Sequence, residues 1–331
     1  MSNPQSPSPA FPRSLPSSPL AVQLGPLQLK NPICTASGTF GYGLEFTDFV
    51  DLSRLGGICT KGLSLNPHAG NAPPRICETP AGMLNAIGLQ NVGVEVFLRE
   101  KLPTLRDLGA TVIANVWGDV EEDYVAVVHA LEQAEGLAAI ELNISCPNVE
   151  KGGMLFGNSP QATASLVSRV RAATPRPLIV KLSPNAPDSV ASARAARESG
   201  ADVLSLVNTF VGMAIDPETG RPILSFGTGG LSGPAIKPLA VRMVFQVARA
   251  LPGVPIMGMG GISQLSDVLE FLAAGAAAVQ VGTANFKEPG VSARLVEELA
   301  AYCVERGVTV ASLVGRAHRL DVPRLEGGAQ G

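Results

Sequence analysis

Clustered metal ligands are the first thing missing. The three histidines, His68, His129 and His318, stand far apart, and the five cysteines, Cys34, Cys59, Cys77, Cys146 and Cys303, form no Cys-x-x-Cys pair. An odd, dispersed set argues against a disulfide scaffold, a zinc ribbon, an iron–sulfur cluster held by this chain, and metal catalysis. Charge is also sparse, at 16% of residues, and 25 Lys plus Arg against 28 Asp plus Glu leave a net of −3. With no basic run, a nucleic-acid groove or an anionic-membrane patch is not expected. No apolar stretch reaches transmembrane length. Residues Met1 to Pro19 are rich in Ser and Pro and carry one charge, Arg13, without the basic start and apolar core of a secretory signal. They read as a disordered extension, residues 1–19, and the chain is expected in the cytoplasm.

What remains is a 46% hydrophobic chain with ample material for a large core. After a small hairpin over 22–29, turning at Gly25-Pro26, short apolar runs alternate with amphipathic segments of about a dozen residues. Strands are expected at Pro32–Ser37, Gly57–Lys61, Thr111–Val116, Ala138–Ile144, Leu178–Leu182, Val203–Val207, Pro255–Gly258 and Ala278–Val281. Helices follow each, the first at Glu45–Leu55 and the last at Val291–Glu305. Ser159 and Ser263 read as N-caps, and Gly109, Gly200 and Gly275 as the glycines that end helices. Eight strand–helix units predict an α/β fold: a TIM (β/α)8 barrel over residues 20–311, with an N-terminal β-hairpin, long βα-loop insertions and a C-terminal tail, 312–331. An open doubly wound sheet competes, but the turn after the first strand, Ser37-Gly-Thr-Phe-Gly41, does not match Gly-x-Gly-x-x-Gly. The extra length falls in Leu63–Gly93 and Phe210–Ile236, both βα loops on the catalytic face.

Polar residues gather where strands end. Ser37, Lys61-Gly62, Asn115, Asn143 with Cys146, Lys181, Asn208-Thr209, Gly260-Gly261 and Gly282-Thr283 close the eight strands in turn. The last two sets, with Ser263 opening a helix, resemble a phosphate cradle suited to a sugar phosphate, a nucleotide or FMN. Lys61 and Lys181 end apolar strands, where an unpaired ammonium is costly. Each fits a structural ion pair, a Schiff-base lysine or a cation beside an anionic ligand. Two lysines, three amides and a cradle suit a flavin better than an aldol substrate. Cys34, Cys59 and Cys303 fall inside predicted elements and read as small buried hydrophobes, whereas Cys146 follows a strand end, between Ser145 and Pro147, where a thiol can meet a ligand.

These residues are also motifs. Ala36-Ser-Gly-Thr-Phe-Gly41, Thr60-Lys-Gly62, Asn85-Ala-Ile-Gly-Leu89, Ala114-Asn115, Asn143-Ile-Ser-Cys-Pro-Asn148, Val207-Asn-Thr209, Gly229-Gly-Leu-Ser-Gly-Pro234, Gly258-Met-Gly-Gly-Ile262 and Gly282-Thr-Ala284 run in order along the chain. In this the sequence resembles the class 1B dihydroorotate dehydrogenase catalytic subunits, FMN enzymes of de novo pyrimidine (UMP) biosynthesis. The run Val149-Glu-Lys-Gly-Gly-Met-Leu-Phe-Gly157 resembles class 1B rather than class 1A.

The resemblance implies one FMN per chain, held by Ser37, Lys61, Gly62, Asn115, Asn143, Lys181, Val207, Gly233, Gly260, Gly261, Gly282 and Thr283. It implies substrate contacts at Lys61, Asn85, Ala86, Ile87, Gly88, Leu89, Asn143, Asn208 and Thr209. Cys146 becomes the base that takes the C5 proton of dihydroorotate while a hydride passes from C6 to flavin N5. It further implies a homodimer core within a heterotetramer, whose partner subunits carry FAD and an iron–sulfur cluster and pass electrons to NAD. A related FMN-dependent pyrimidine oxidoreductase, or a Schiff-base aldolase using a barrel lysine, are the alternatives.

Overall fold

The computed structural model describes residues 18–145 and 153–319. A hairpin of β1 (Val22–Leu24) and β2 (Leu27–Leu29) comes first; Gly25, at φ 58°, turns beneath the start of the sixth barrel strand, where a Cβ would lie 3.1 Å from the Asp202 carbonyl oxygen. The barrel proper consists of β3 (Ile33–Thr35), β4 (Gly57–Cys59), β7 (Val112–Val116), β8 (Leu137–Asn143), β9 (Leu178–Lys181), β10 (Val203–Leu206), β13 (Ile256–Met259) and β14 (Ala278–Val281). They pair in parallel, each with its neighbours in sequence, and β14 closes on β3. Nearly every residue in these strands is buried, because one face fills the barrel and the other packs under helices, so they read as unbroken apolar runs.

The helices after β4 to β14 lie where the periodicity places them, from the helical segment 94–107 to Val291–Arg306. The first does not form. Residues 45–55 hold only two 3-10 turns, Leu44–Phe46 and Leu52–Arg54. Thr47, Asp51 and Ser53 compete with a helix by bonding locally: Thr47 Oγ1 donates to the Leu44 carbonyl at 3.0 Å, and the Asp51 carboxylate accepts from the Ser53 amide at 3.0 Å. Ser159 does cap its helix, but the helix of β13 is capped at Gln264, not Ser263: the Asp267 carboxylate accepts from both amides, at 2.9 and 3.0 Å.

Two departures concern the ends and the loops. Residues 312–319, expected as tail, pack on the barrel: the Gly315 amide donates to the Leu272 carbonyl at 2.9 Å, and the His318 ring stacks on Phe245. The two long βα loops are not irregular. β5 (Ile76–Thr79) and β6 (Gly82–Asn85) from one, and β11 (Phe210–Gly212) and β12 (Gly229–Ser232) from the other, join into one antiparallel sheet in the order β11-β12-β6-β5. Among the described residues, no helix is long and apolar enough to cross a membrane.

Candidate active site

The C-terminal ends of the barrel strands carry two neighbouring groups of residues. The first is built of amides and lysines. Side chains two apart on a strand share a face, so Glu141 and Asn143 both point inward from β8, and Asn143 pairs in register with Lys181 of β9. Asn143 Oδ1 accepts from Asn208 Nδ2 at 3.4 Å and from Ser145 Oγ at 3.3 Å, while Asn208 Nδ2 also donates to Ser145 Oγ at 2.8 Å. Lys181 is only 4% exposed, as its strand-end position implies.

Beside them lie Lys61 and Gly62. The Lys61 amide donates to the Gly41 carbonyl at 2.8 Å, which fixes the turn after β4 against the turn after β3 that carries Ser37. Burial holds the Lys61 ammonium below the ordinary lysine range, the Arg75 guanidinium adds to this, and Glu45 opposes it. The loop Asn85 to Leu89 reaches this point from the antiparallel sheet that the two long βα loops build, the roof sheet. Asn85 Nδ2 donates to the Gly230 carbonyl, Asn71 pins the Ala86 and Ile87 carbonyls, each at 3.0 Å, and Leu89 abuts Gly62. Ala86 is fully buried, its amide donating to the Arg75 carbonyl at 2.7 Å and its carbonyl accepting from Asn71, so it holds the loop in place.

The second group is made of glycine turns. Gly260 and Gly261 have φ of 127° and 76°, and a Cβ on either would press into Ala240 or into the Gly233 carbonyl and Lys237, so only glycine follows this path. Among the described residues, no acceptor takes the amide hydrogens of Gly260, Gly261 or Gly282. Thr283 Oγ1 donates to Ser232 Oγ at 2.8 Å, bringing the turn after β14 to the segment that ends in Gly233. The Val207 amide donates to the Met259 carbonyl at 3.1 Å, joining this group to the Asn208-Thr209 end of β10. Lys237 does not add a free cation, since its ammonium is committed to Asp267 at 2.8 Å and Glu270 at 2.7 Å.

Every expected site residue that lies among the described ones therefore falls on one face of the barrel. Cys146 lies outside the described residues; its neighbour Ser145 is fully buried at the edge of the amide group. Cys34, Cys59 and Cys303 are buried as expected, and burial pushes the Cys34 thiol up to about 12. Sequence reasoning passed over Glu141, Trp117 and Ser232. The signal for Glu141 was present: a lone acid inside a strand buried on both faces must be compensated. Asn115 and Trp117 flank Gly62, and Asn115 Oδ1 and Trp117 Nε1 are buried without partners among the described residues.

A barrel with glycine turns at its last two strands and lysines and amides at the others defines a ligand-processing (β/α)8 enzyme. A sequence model of the dihydroorotate dehydrogenase family matches residues 19–302. The catalytic subunit of dihydroorotate dehydrogenase B (NAD(+)) from Trichlorobacter lovleyi is 54% identical over 297 residues, covering 89% of this chain and 97% of that one. The subunit of the same name from Geobacter sulfurreducens is 53% identical with the same coverage. A crystal structure of dihydroorotate dehydrogenase from Eimeria tenella in complex with ferulenol has the same fold, at a TM-score of 0.78, 23% identity, and coverage of 94% and 92% of the two chains. The chain belongs to the dihydroorotate dehydrogenase family, and within it to the B-type catalytic subunits.

Proposed function

We propose that this member oxidises dihydroorotate to orotate with FMN bound across the barrel mouth, and that its electrons leave for NAD through a partner subunit. The observation that carries this reading is the meeting of unpartnered groups at one place: glycine amides on one side, Asn115 Oδ1 and Trp117 Nε1 on the other. The two buried atoms are costly to leave without partners and the half-buried glycine amides are open to an anion, so a ligand with a phosphate at one end and a polar ring at the other would satisfy both sets. Gly260, Gly261, Gly282 and Thr283 would hold the phosphate, with Ser37, Val207 and Gly233 lining the same side. Asn115, Asn143, Lys61, Gly62 and Lys181 would hold the ring. FMN bound there would supply the acceptor for the hydride from C6.

The chain's own residues supply the rest. Lys61 pairs with the substrate carboxylate, and the loop Asn85 to Leu89 closes over it. Asn143, Asn208 and Thr209 read the pyrimidine ring, which alternates donors and acceptors as an amide does. Cys146, as thiolate, takes the proton from C5. Lys181 provides a buried cation where negative charge grows. The names of the relatives support a separate electron-transfer subunit, and we assign to it the FAD and iron–sulfur cluster of a heterotetramer built on a dimer of this chain.

The test is a visible spectrum of the isolated chain before and after anaerobic dihydroorotate. A yellow protein that bleaches is expected, with no reduction of NAD until the partner is added. A colourless protein that borohydride links to a carbonyl substrate through Lys61 or Lys181 would replace this reading with Schiff-base chemistry.

A further inference from the structure

Beneath the mouth sits a charge that the reaction above does not use. Glu141 is fully buried in the middle of β8, where an uncompensated carboxylate is very costly. Four side chains from four other strands answer it. Its Oε2 accepts from Asn115 Nδ2 of β7 at 2.7 Å and from Cys59 Sγ of β4 at 2.9 Å. Its Oε1 accepts from Ser205 Oγ of β10 and Gln280 Nε2 of β14, each at 2.8 Å. Burial alone would push this carboxyl up; the Lys181 ammonium and the donated bonds outweigh it and hold the group below the usual range. An ionised carboxylate accepts and cannot donate, so all four neighbours must turn a hydrogen toward it.

For Asn115 that requirement decides the orientation of a site residue. A side-chain amide has a donating and an accepting end, and an isolated one can turn either way. Here the NH2 is committed inward, so the carbonyl oxygen must face the other way. That oxygen has no partner among the described residues, and it lies beside Gly62, where a Cβ would come within 3.0 Å of it.

We propose that Glu141 is a positioning residue: its buried carboxylate fixes the Asn115 amide so that an acceptor, never a donor, is offered at the barrel mouth. The proposal rests on the reading of that mouth as the FMN site, and the ligand group it selects is a ring N–H.

A charge exchange tests it. In Glu141→Gln the introduced amide can donate to the Asn115 oxygen, so the Asn115 NH2 turns outward and a donor replaces the acceptor at the mouth. In Asn115→Asp with Glu141→Gln, the introduced amide donates to the introduced carboxylate, and the outward acceptor returns. FMN is titrated into the flavin-free full-length chain and binding is followed by flavin fluorescence, with the thermal midpoint of each variant measured alongside. The single variant should bind FMN at least about tenfold more weakly than the parent, and the double variant within about threefold of it. If the single variant fails to fold, the double variant alone decides: near-parental affinity supports the proposal. A folded double variant that binds weakly, or a single variant that binds like the parent, overturns it and shows that Glu141 serves the fold alone. A parent chain that takes up no FMN overturns the reading of the site itself, and the proposal with it.

Discussion

Asn208 Nδ2 donates to Ser145 Oγ at 2.8 Å, tying the end of β10 to the residue directly before Cys146. Asn208 Oδ1 in turn accepts from the Thr209 amide at 2.8 Å, so the side chain is held at both ends. A thiol that must reach one carbon of a ligand depends on such a restraint, because misplacement of the order of 1 Å can cost about a hundredfold in rate.

Asn208→Ala should therefore lower kcat/KM for dihydroorotate by at least about tenfold. Flavin content should stay at the parental level. Steady-state kinetics beside the flavin-to-protein absorbance ratio checks this; a loss of flavin in parallel with activity would instead make Asn208 part of the cofactor's support.

Cys146→Ser should retain flavin and slow its reduction near neutral pH by about 100- to 10,000-fold, since a serine hydroxyl is far harder to ionise than a thiol. Part of the lost rate should return in alkaline buffer. Anaerobic stopped-flow absorbance reads the step directly, and unchanged reduction kinetics would remove Cys146 from its assigned role as base.

The barrel was legible because its strands are short, apolar and buried on both faces, and glycines such as Gly200 and Gly275, at φ 111° and 114°, end the helices between them. The roof sheet was not. Its central pairing sets Asn85 against Gly230, and β12 reads Gly-Gly-Leu-Ser, with neither alternation nor β-branched residues to mark a strand. Its register is set by the tertiary fold, which a local pattern does not carry. Site residues at strand ends could be named because each strand ends where a polar residue breaks an apolar run. The Glu141 network could not, because its donors come from β4, β7, β10 and β14, and only closure of the barrel brings Cys59, Asn115, Ser205 and Gln280 to one carboxylate.

The depressed pKa of Lys61 has a direction that can be measured. The ammonium is the form that pairs with a carboxylate, and it is complete at low pH. Because burial and Arg75 lower its pKa, it is lost as pH rises, earlier than for an exposed lysine. The KM for dihydroorotate should rise on the alkaline side before the ordinary lysine range is reached. Lys61→Arg, which keeps its charge there, should abolish that rise; an arginine variant with the parental KM–pH curve would place its origin elsewhere.

Gly261→Ala probes the glycine turn. At φ 76° a side chain is strained, and the new Cβ would lie 2.8 Å from the Gly233 carbonyl oxygen and 2.9 Å from Lys237 Cβ. We expect a loss of about 1–3 kcal/mol of stability and weakened FMN retention. Thermal melts of the flavin-free chain separate the two effects. Parental flavin affinity in a destabilised variant would restrict the turn to a structural role.

The roof sheet also sets a timetable for synthesis. Asn85 leaves the ribosome 145 residues ahead of Gly230, the partner to which its side chain bonds. At cellular translation rates that gap lasts roughly 7–30 s. Throughout it the β6 edge of the β5–β6 hairpin, which β12 covers in the finished sheet, stays bare, a surface that invites strands from other nascent chains. The same stitch that finally roofs the mouth thus leaves the newborn chain in need of shelter until its second half arrives.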